Sequence, residues 1–207
     1  MIVVTRGAII LLPLLLMGCA TTPPSAFYTL TPELAGPDPG IREGTLAIGL
    51  GPFDLPEYLD RPQLVARAGA NELTVDELHR WGGSLSEDFL RVLGENLAQE
   101  LETSRIVLAP AEVRFPLDFR VVGDVIAFEG RAGGEAVLKV RWAVLDPYRE
   151  RALSVRERRY REAVREEGPA AMVAAMSAAL ATFSGDLAAD IRRLPRPVAP
   201  ADELPPL

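Results

Sequence analysis

Four residues near the N-terminus, Leu16-Met17-Gly18-Cys19, have the types and the order of a lipid-attachment motif. A Cys thiol can form a thioether with a diacylglycerol donor, and the small Gly18 gives a processing peptidase access to the bond before Cys19. The alternative is an ordinary signal peptide that ends by chance in a Cys. Cys19 is the only Cys of the chain, and a lone free thiol is unusual in a secreted protein. The motif residues Leu16 and Gly18 therefore predict a covalent lipid on Cys19, and no other cofactor is expected.

The segment before Cys19 is typical of a secretory signal peptide, residues 1–18. Arg6 supplies the positive start, and the apolar run over residues 8–16 is shorter than the roughly 20 residues of a transmembrane helix. Cleavage after Gly18 leaves Cys19 as the first mature residue, as at a bacterial lipobox. Two or more acyl chains hold a protein on a membrane stably, so we expect a membrane-tethered protein. Ala20, rather than Asp, after the Cys resembles the outer-membrane sorting signal of Gram-negative lipoproteins.

The side chains available for catalysis or metal binding are few. His79 is the only His, and a hydrolase of the serine or cysteine type needs a nucleophile beside it, yet the sequence has no G-x-S-x-G motif. A His79 that packs with Trp81 or hydrogen-bonds a loop is the favoured alternative. The acidic pairs Glu87-Asp88 and Glu166-Glu167 are interpreted as solvated. A zinc site needs about four ligands, so none is expected at Cys19, and the chain is predicted not to be an enzyme.

The charged residues argue against a polyanion site. With 22 Lys+Arg and 29 Asp+Glu the formal net charge is −7, and phosphate backbones are bound mainly by clustered cations, so we expect no nucleic-acid partner. Residues 149–167 hold seven Arg and five Glu, and the Glu residues are interleaved with or directly follow the Arg residues. This balance predicts a solvated strand face with ion pairs, rather than a phosphate or lipid-headgroup site.

A short segment between two prolines, Pro56 and Pro62, is the most unusual local feature. Proline fixes the backbone torsion φ, so these residues predict a stiff loop that presents Tyr58, Asp60 and Arg61. Two interpretations remain open. Asp60 and Arg61 either pair locally or cap backbone groups, or they contact a partner.

The remaining sequence supplies the elements that position these residues. Apolar residues at helical spacing predict helices over residues 84–101, with a capping box at Ser84 and Glu87, and over 169–194, with Met172 and Met176 in the core. Apolar alternation and strand-forming residues predict strands over residues 26–30, 45–51 (ended by Pro52), 63–68, 106–108, 117–128 (with a bulge at Gly123), 136–144 and 153–160, with a hairpin turn at 130–134.

This order of elements predicts an α+β fold. Two helices that each bury one apolar stripe are best accommodated in a two-layer sandwich, on one face of a mixed, mostly antiparallel sheet. The predicted organisation is a signal peptide at 1–18, a lipidated tether with a short strand at 19–44, one domain at 45–194, and a Pro-rich tail at 195–207.

Several motifs together resemble the PqiC (YmbA) type of ABC-transport auxiliary lipoproteins associated with MCE-protein lipid transport. The resemblance extends over nearly the whole mature chain, apart from the Pro-rich tail. Its motifs are Cys19, Phe27-Tyr28-Thr29-Leu30, Pro56-Glu57-Tyr58-Leu59-Asp60-Arg61-Pro62-Gln63, His79-Arg80-Trp81, Glu95-Asn96-Leu97 and the terminal amphipathic helix.

The resemblance implies a non-catalytic outer-membrane lipoprotein that faces the periplasm. It would dock an MCE-domain tunnel protein (PqiB-like), and through it an inner-membrane permease, for the transport of phospholipid; a tubular partner makes a homo-oligomeric ring an expectation. A generic outer-membrane assembly or secretion accessory lipoprotein stays open, as does, at lower weight, a lipid-anchored periplasmic hydrolase. The motif positions that the resemblance offers for docking or self-assembly are Leu59, Asp60, Arg61, Pro62, Gln63, His79, Arg80 and Trp81.

Overall fold

A computed structural model of the chain describes residues 24–33, 46–110 and 116–199. The signal peptide, Leu16, Gly18, Cys19, part of the tether and the end of the tail lie outside the described residues. The described residues form eight strands and two helices: β1 Ala26–Tyr28, β2 Ile48–Asp54, β3 Gln63–Gly69, β4 Glu72–Trp81, α1 Leu85–Glu100, β5 Ile106–Leu108, β6 Phe119–Gly130, β7 Glu135–Asp146, β8 Arg151–Ala163 and α2 Pro169–Arg193.

The strands form one mixed sheet in the order β1-β4-β3-β6-β2-β5, and β7 pairs with β6 and β8. The long β6–β7–β8 meander is antiparallel. Strands β2 and β3 both pair with β6 in parallel, β2 with its first half and β3 at its end. The chain between β2 and β3 therefore leaves the sheet and returns to it, and this excursion carries the Pro56–Pro62 loop.

The core lies between the sheet and the two helices. Every second side chain of β7 is buried, and α2 covers this face with its own apolar stripe. Helix α1 begins after Ser84, whose hydroxyl accepts the Glu87 N–H, as predicted from the capping box. By length and composition α2 could span a membrane, but Met172, Met176 and the rest of its buried stripe are core residues. The predicted α+β two-layer sandwich is thus confirmed.

Three details of the predicted strands are wrong. Strand β2 does not stop before Pro52 but continues to Asp54. Its pairing with β6 shifts register between Leu50 and Phe53. Because the ladder is interrupted there, no hydrogen bond is lost through the missing N–H of Pro52. Gly51 lies at this irregularity with φ 102°, a conformation that favours glycine. The bulge in β6 lies between Val125 and Ala127, not at Gly123.

Gly123 is in register with Trp142, and glycine is needed there for close packing. A Cβ atom at this position would lie 2.6 Å from the Arg141 carbonyl oxygen and 2.6 Å from the Phe53 ring.

Strand β4 was not predicted at all, because its residues are mostly polar and only its last residue, Trp81, is buried.

Candidate partner-contact surface

The sequence motifs that are far apart in the chain meet at one edge of the sheet. The start of β3 pairs with the end of β4, and the end of β4 pairs with β1. One cross-strand row contains Gln63, Arg80 and Phe27, and in the next row Trp81 pairs with Tyr28. We refer to the patch formed by Phe27, Asp60, Arg61, Pro62, Gln63 and Arg80 as the motif surface.

The Pro56–Pro62 loop is held by a short series of backbone hydrogen bonds. Residues Glu57–Leu59 form one turn of 3-10 helix. The Leu59 N–H donates to the Pro56 carbonyl at 2.9 Å, and the Arg61 N–H donates to the Leu59 carbonyl at 2.8 Å. The Trp81 N–H donates to the Pro62 carbonyl at 2.7 Å. The loop is therefore rigid, as the two prolines predicted, and it is fixed to the end of β4.

Two of the motif residues point into the protein. Leu59 is 3% exposed and Trp81 is 5% exposed, and both belong to the main hydrophobic core. Burying side chains of this size contributes about 1.5–3 kcal/mol each. Leu59 and Trp81 thus shape the fold and hold the loop, and they are not available for contact with a partner.

The prediction that the loop presents Tyr58 together with Asp60 and Arg61 is wrong for Tyr58, which points inward. Its hydroxyl donates to the Glu129 carboxylate, and the Arg67 Nε donates to the same carboxylate at 2.5 Å. Glu129 is only 4% exposed. Burial, followed by the hydrogen bond to Glu129 and the charge of Glu129, raises the pKa of the Tyr58 hydroxyl. The three side chains form a buried polar cluster that ties the loop to β6 and β3.

The other loop residues point outward. Asp60, Arg61 and Pro62 are exposed, and no described residue forms a hydrogen bond or an ion pair with the side chain of Asp60 or Arg61. The local pairing that the sequence left open for Asp60 and Arg61 is therefore not observed. Their charges are available to a partner.

Phe27 is an exposed candidate that the site prediction did not include. It is 67% exposed, the highest value of any large aromatic side chain among the described residues. In a strand, neighbouring side chains alternate between the two faces, so a half-buried Tyr28 places Phe27 on the solvent side. The strand predicted over residues 26–30 includes Phe27. The strand that forms has only three residues, which is too few for the alternation of side chains to show which face is buried.

Gln63 and Arg80 are the remaining residues of the motif surface, and both hydrogen-bond to Glu77. The Gln63 side-chain amide donates to the Glu77 carboxylate at 3.2 Å, and the Arg80 Nε donates to the Glu77 carbonyl at 3.2 Å. Both side chains are only partly buried. They are positioned at the surface but keep part of their hydrogen-bonding capacity.

His79 does not pack with Trp81; it lies in a bulge of β4 and bonds to Asp76. The His79 Nδ1 is 2.7 Å from the Asp76 carboxylate, and the N–H groups of Leu78 and His79 donate to the same carboxylate at 3.0 and 3.1 Å. Burial alone would raise the pKa of Asp76, but these hydrogen bonds hold it below its usual value. The His79 ring also lies 5.8 Å from the Tyr28 ring. This is a structural arrangement that shapes the end of β4.

The remaining candidates have structural partners. Asp88 is not solvated as predicted, because it accepts the Leu30 N–H at 2.6 Å and pairs with Arg91. Arg156, Arg158 and Arg161 of the Arg-rich strand form ion pairs, as predicted. Their partners are Asp190, Asp186 and Glu135 and not the interleaved Glu residues. Within the described ranges, no three His, Cys, Asp or Glu side chains are grouped so that they could hold a metal ion.

Comparison with known proteins agrees with this architecture. Among solved structures, an uncharacterized protein superposes with a TM-score of 0.67 at 17% identity, covering 82% of this chain and 99% of that chain. A protein from Xanthomonas campestris superposes with a TM-score of 0.65 at 17% identity, covering 79% and 93%. A search of curated proteins found no match.

The family is given by the sequence match. A family model described as an ABC-type transport auxiliary lipoprotein component matches residues 28–188, which include every described strand of the sheet except the first two residues of β1. The chain belongs to the family of ABC-type transport auxiliary lipoprotein components.

Proposed function

We propose that the protein is an outer-membrane lipoprotein, anchored through lipid on Cys19 and facing the periplasm, that docks an MCE-domain tunnel protein (PqiB-like). Through that partner it would connect to an inner-membrane permease and serve phospholipid transport between the membranes. The observation that carries the proposal is the convergence of separate motifs on one surface, where Asp60, Arg61 and Phe27 are exposed.

The chemistry of the motif surface suits a protein partner. Binding energy in protein interfaces is concentrated in aromatic and Arg side chains that become fully buried on association. Phe27 supplies an exposed aromatic ring, and the unpaired Arg61 supplies a cation beside it. A matching partner would offer an apolar pocket for Phe27, a carboxylate for Arg61 and a donor for Asp60.

The tether would hold this surface near the membrane. Ala26 is seven residues after Cys19, so the lipidated residue can lie no more than about 25 Å from β1. The chain after β1 is fixed, because Asp88 and Arg91 of α1 bond to the N–H and the carbonyl of Leu30. Movement between anchor and domain would therefore be confined to the few residues before β1.

A tubular partner also supports a closed ring of subunits on the membrane. Closed rings form when the same heterologous contact repeats by rotation. In such a ring the motif surface would serve either the partner or the neighbouring subunit, and the experiment below distinguishes these uses.

The test is affinity purification of the tagged protein from lightly crosslinked, detergent-solubilised envelope, followed by mass spectrometry. Wild type is expected to recover an MCE-domain protein, and Asp60→Ala, Arg61→Ala and Phe27→Ser are each expected to lose it. Arg159→Ala is the matched control, since Arg159 is exposed and has no ion-pair partner among the described residues but lies on β8.

The melting temperatures of the variants must match wild type, because none of the three side chains makes a hydrogen bond or a core contact with another described residue. If only an outer-membrane barrel or a secretion component is recovered, the protein would instead be an assembly or secretion accessory lipoprotein. If the variants still recover the MCE-domain protein but no longer associate with other copies of the chain, the motif surface would serve the contact between neighbouring subunits of the ring.

A further inference from the structure

Strand β4 has an open edge over most of its length. Strand β3 lies on one side of β4, but on the other side β1 pairs only with His79, Arg80 and Trp81. Among the described residues, no strand pairs with residues 72–78 on that side. The Leu78 N–H already donates to Asp76 and the Glu77 carbonyl already accepts from Arg80. The residues before Glu77 therefore present the backbone N–H and carbonyl groups that another strand could use.

An apolar groove adjoins the open edge. It lies where the β3–β4 hairpin extends past the start of α2, and its volume is about 550 Å³. Its apolar wall is formed by Leu64, Ala66, Leu78, Ala132, Pro169 and Met172. Val75, which is 39% exposed, lies at its rim. Apolar side chains of an added strand would find space there without displacing the core.

This edge lacks the basic side chains that the sheet has at β8. Natural edge strands are guarded by charged side chains, especially Lys, by Pro and by bulges. Strand β8 carries five Arg, whereas residues 72–78 of β4 carry acidic side chains and end in a bulge. Residues 72–78 contain no Lys, Arg or Pro, and their only charged side chains are Glu72, Asp76 and Glu77. No basic side chain lines the groove.

The tether is poorly suited to cover the edge. Strand β1 runs parallel to β4 and begins opposite His79. Pro23 and Pro24 precede β1, and neither has an N–H to donate to a ladder. The open edge is therefore better suited to a segment from another protein.

From the open edge and the adjoining groove together, we propose a peptide-binding site at β4. It takes an extended segment of a partner protein, which adds a strand to residues 72–78 and places alternate apolar side chains in the groove. Main-chain hydrogen bonds supply affinity in this mode of recognition, and the side-chain pockets supply specificity. Because the charges at this edge are all acidic, the segment carries Lys or Arg at its ends.

The probe for this site is a short synthetic peptide with alternating Val and Thr and a Lys at each end. Binding is measured by fluorescence anisotropy to the lipidated mature protein in phosphatidylcholine nanodiscs, with empty nanodiscs as the blank. We expect saturable binding, and at least about tenfold weaker binding of the same peptide N-methylated at alternate residues, since several main-chain hydrogen bonds of about 1 kcal/mol each are lost. Replacing each Lys by Glu is expected to weaken binding as well.

Two variants locate the bound peptide. Ala132→Trp fills the groove from an exposed turn and is expected to weaken binding about tenfold or more, whereas Ala170→Trp, exposed on α2 outside the groove, is expected to have no effect. Hydrogen exchange of the amides of residues 72–78 should slow when the peptide binds. Asp60→Ala and Arg61→Ala should retain peptide binding, so failure of this site and failure of the motif surface are distinguishable.

Three results would overturn the proposal. Equal binding of the N-methylated peptide would mean that no strand is added. Unchanged binding by Ala132→Trp would place the peptide elsewhere. Slow exchange in the free protein of those amides of residues 72–76 that point away from β3 would mean that the chain itself already covers the edge.

Discussion

At the scale of single residues, the buried Glu129 decides which loop side chains are presented. Its carboxylate accepts hydrogen bonds from Tyr58 and Arg67, so Tyr58 is held inward. The next residue, Leu59, is buried in the core. Asp60 and Arg61, which follow directly, then extend into solvent. The orientation of the two charged side chains thus depends on a contact between the loop and β6.

Tyr58→Phe is expected to lower the free energy of unfolding by about 1–2 kcal/mol, because a buried carboxylate loses one of its two hydrogen-bond donors. Chemical denaturation measures this change, and hydrogen exchange of the loop amides should show a looser loop. Tyr148→Phe is the matched control, since its hydroxyl has no hydrogen-bond partner among the described residues. Equal effects of the two substitutions would refute the role of the cluster.

The prolines predicted a stiff loop, and this much of the site could be derived from the sequence. The sequence could not show which loop residues point inward, because Glu129 lies 71 residues after Tyr58. The sequence also could not show that Trp81 is a core residue whereas Arg80 lies at the surface. Adjacent residues of a strand face opposite sides, and that fact became usable only once β4 was known to be a strand.

At the scale of elements, polar contacts supplement the packing of Tyr160 on Phe183 between the edge strand β8 and α2. Asp186 and Asp190 are four residues apart and therefore lie on one face of α2. Asp190 is 2% exposed and accepts hydrogen bonds from Trp142, Ser154 and Arg156. Asp186 pairs with Arg158 but is considerably more exposed. The acids of α2 thus explain why an Arg-rich strand can face a helix.

Asp190→Ala is expected to destabilise the protein by about 2–4 kcal/mol, because it leaves a buried indole N–H and the Arg156 guanidinium without their shared partner. Asp186→Ala is the internal comparison and is expected to cost less, about 1–2 kcal/mol, because it removes an exposed ion pair with Arg158 and the hydrogen bond from the Tyr160 hydroxyl. Urea denaturation of both variants measures the difference. A larger effect of Asp186→Ala would contradict the assignment of Asp190 as the anchor of β8.

Asp76 is expected to make the end of β4 sensitive to acid. Its folded-state pKa is lowered by His79 and two backbone N–H groups, in excess of the opposing effect of burial. Its contribution to stability is therefore complete above the ordinary Asp pKa of about 4 and is lost as the pH falls further. Melting temperatures measured between pH 3 and pH 6 should fall less at the acidic end for Asp76→Asn than for wild type. Parallel curves would show that Asp76 does not contribute.

The strongly periodic elements were predictable and the irregular ones were not. In β7 the alternation of apolar residues repeats over several pairs of residues, and in α1 and α2 the apolar stripe repeats over three or more turns. Many residues therefore define the buried face of each of these elements. Strand β4 has no such pattern, since its bulge at Asp76 breaks the alternation. Pro52 is tolerated inside β2 because the register shift removes the need for its N–H.

At the scale of the whole molecule, the motif surface and the Arg-rich strand lie at different edges of the sheet. As a member of a lipoprotein family the chain is membrane-anchored. Strand β1, the first described strand, forms one edge and contributes Phe27 to the motif surface. Under the proposed anchoring at Cys19, the motif surface would lie near the membrane, and β8 forms another edge that carries five Arg.

The most direct test of the docking account is photocrosslinking in living cells, with benzoylphenylalanine incorporated in place of Phe27 or, as the control, in place of the exposed Val155 of β8. The account predicts that position 27 crosslinks to an MCE-domain protein, that position 155 does not, and that adding Arg61→Ala abolishes the crosslink at position 27. Crosslinks from position 27 only to a barrel or secretion component, or to an MCE-domain protein only from position 155, would contradict it.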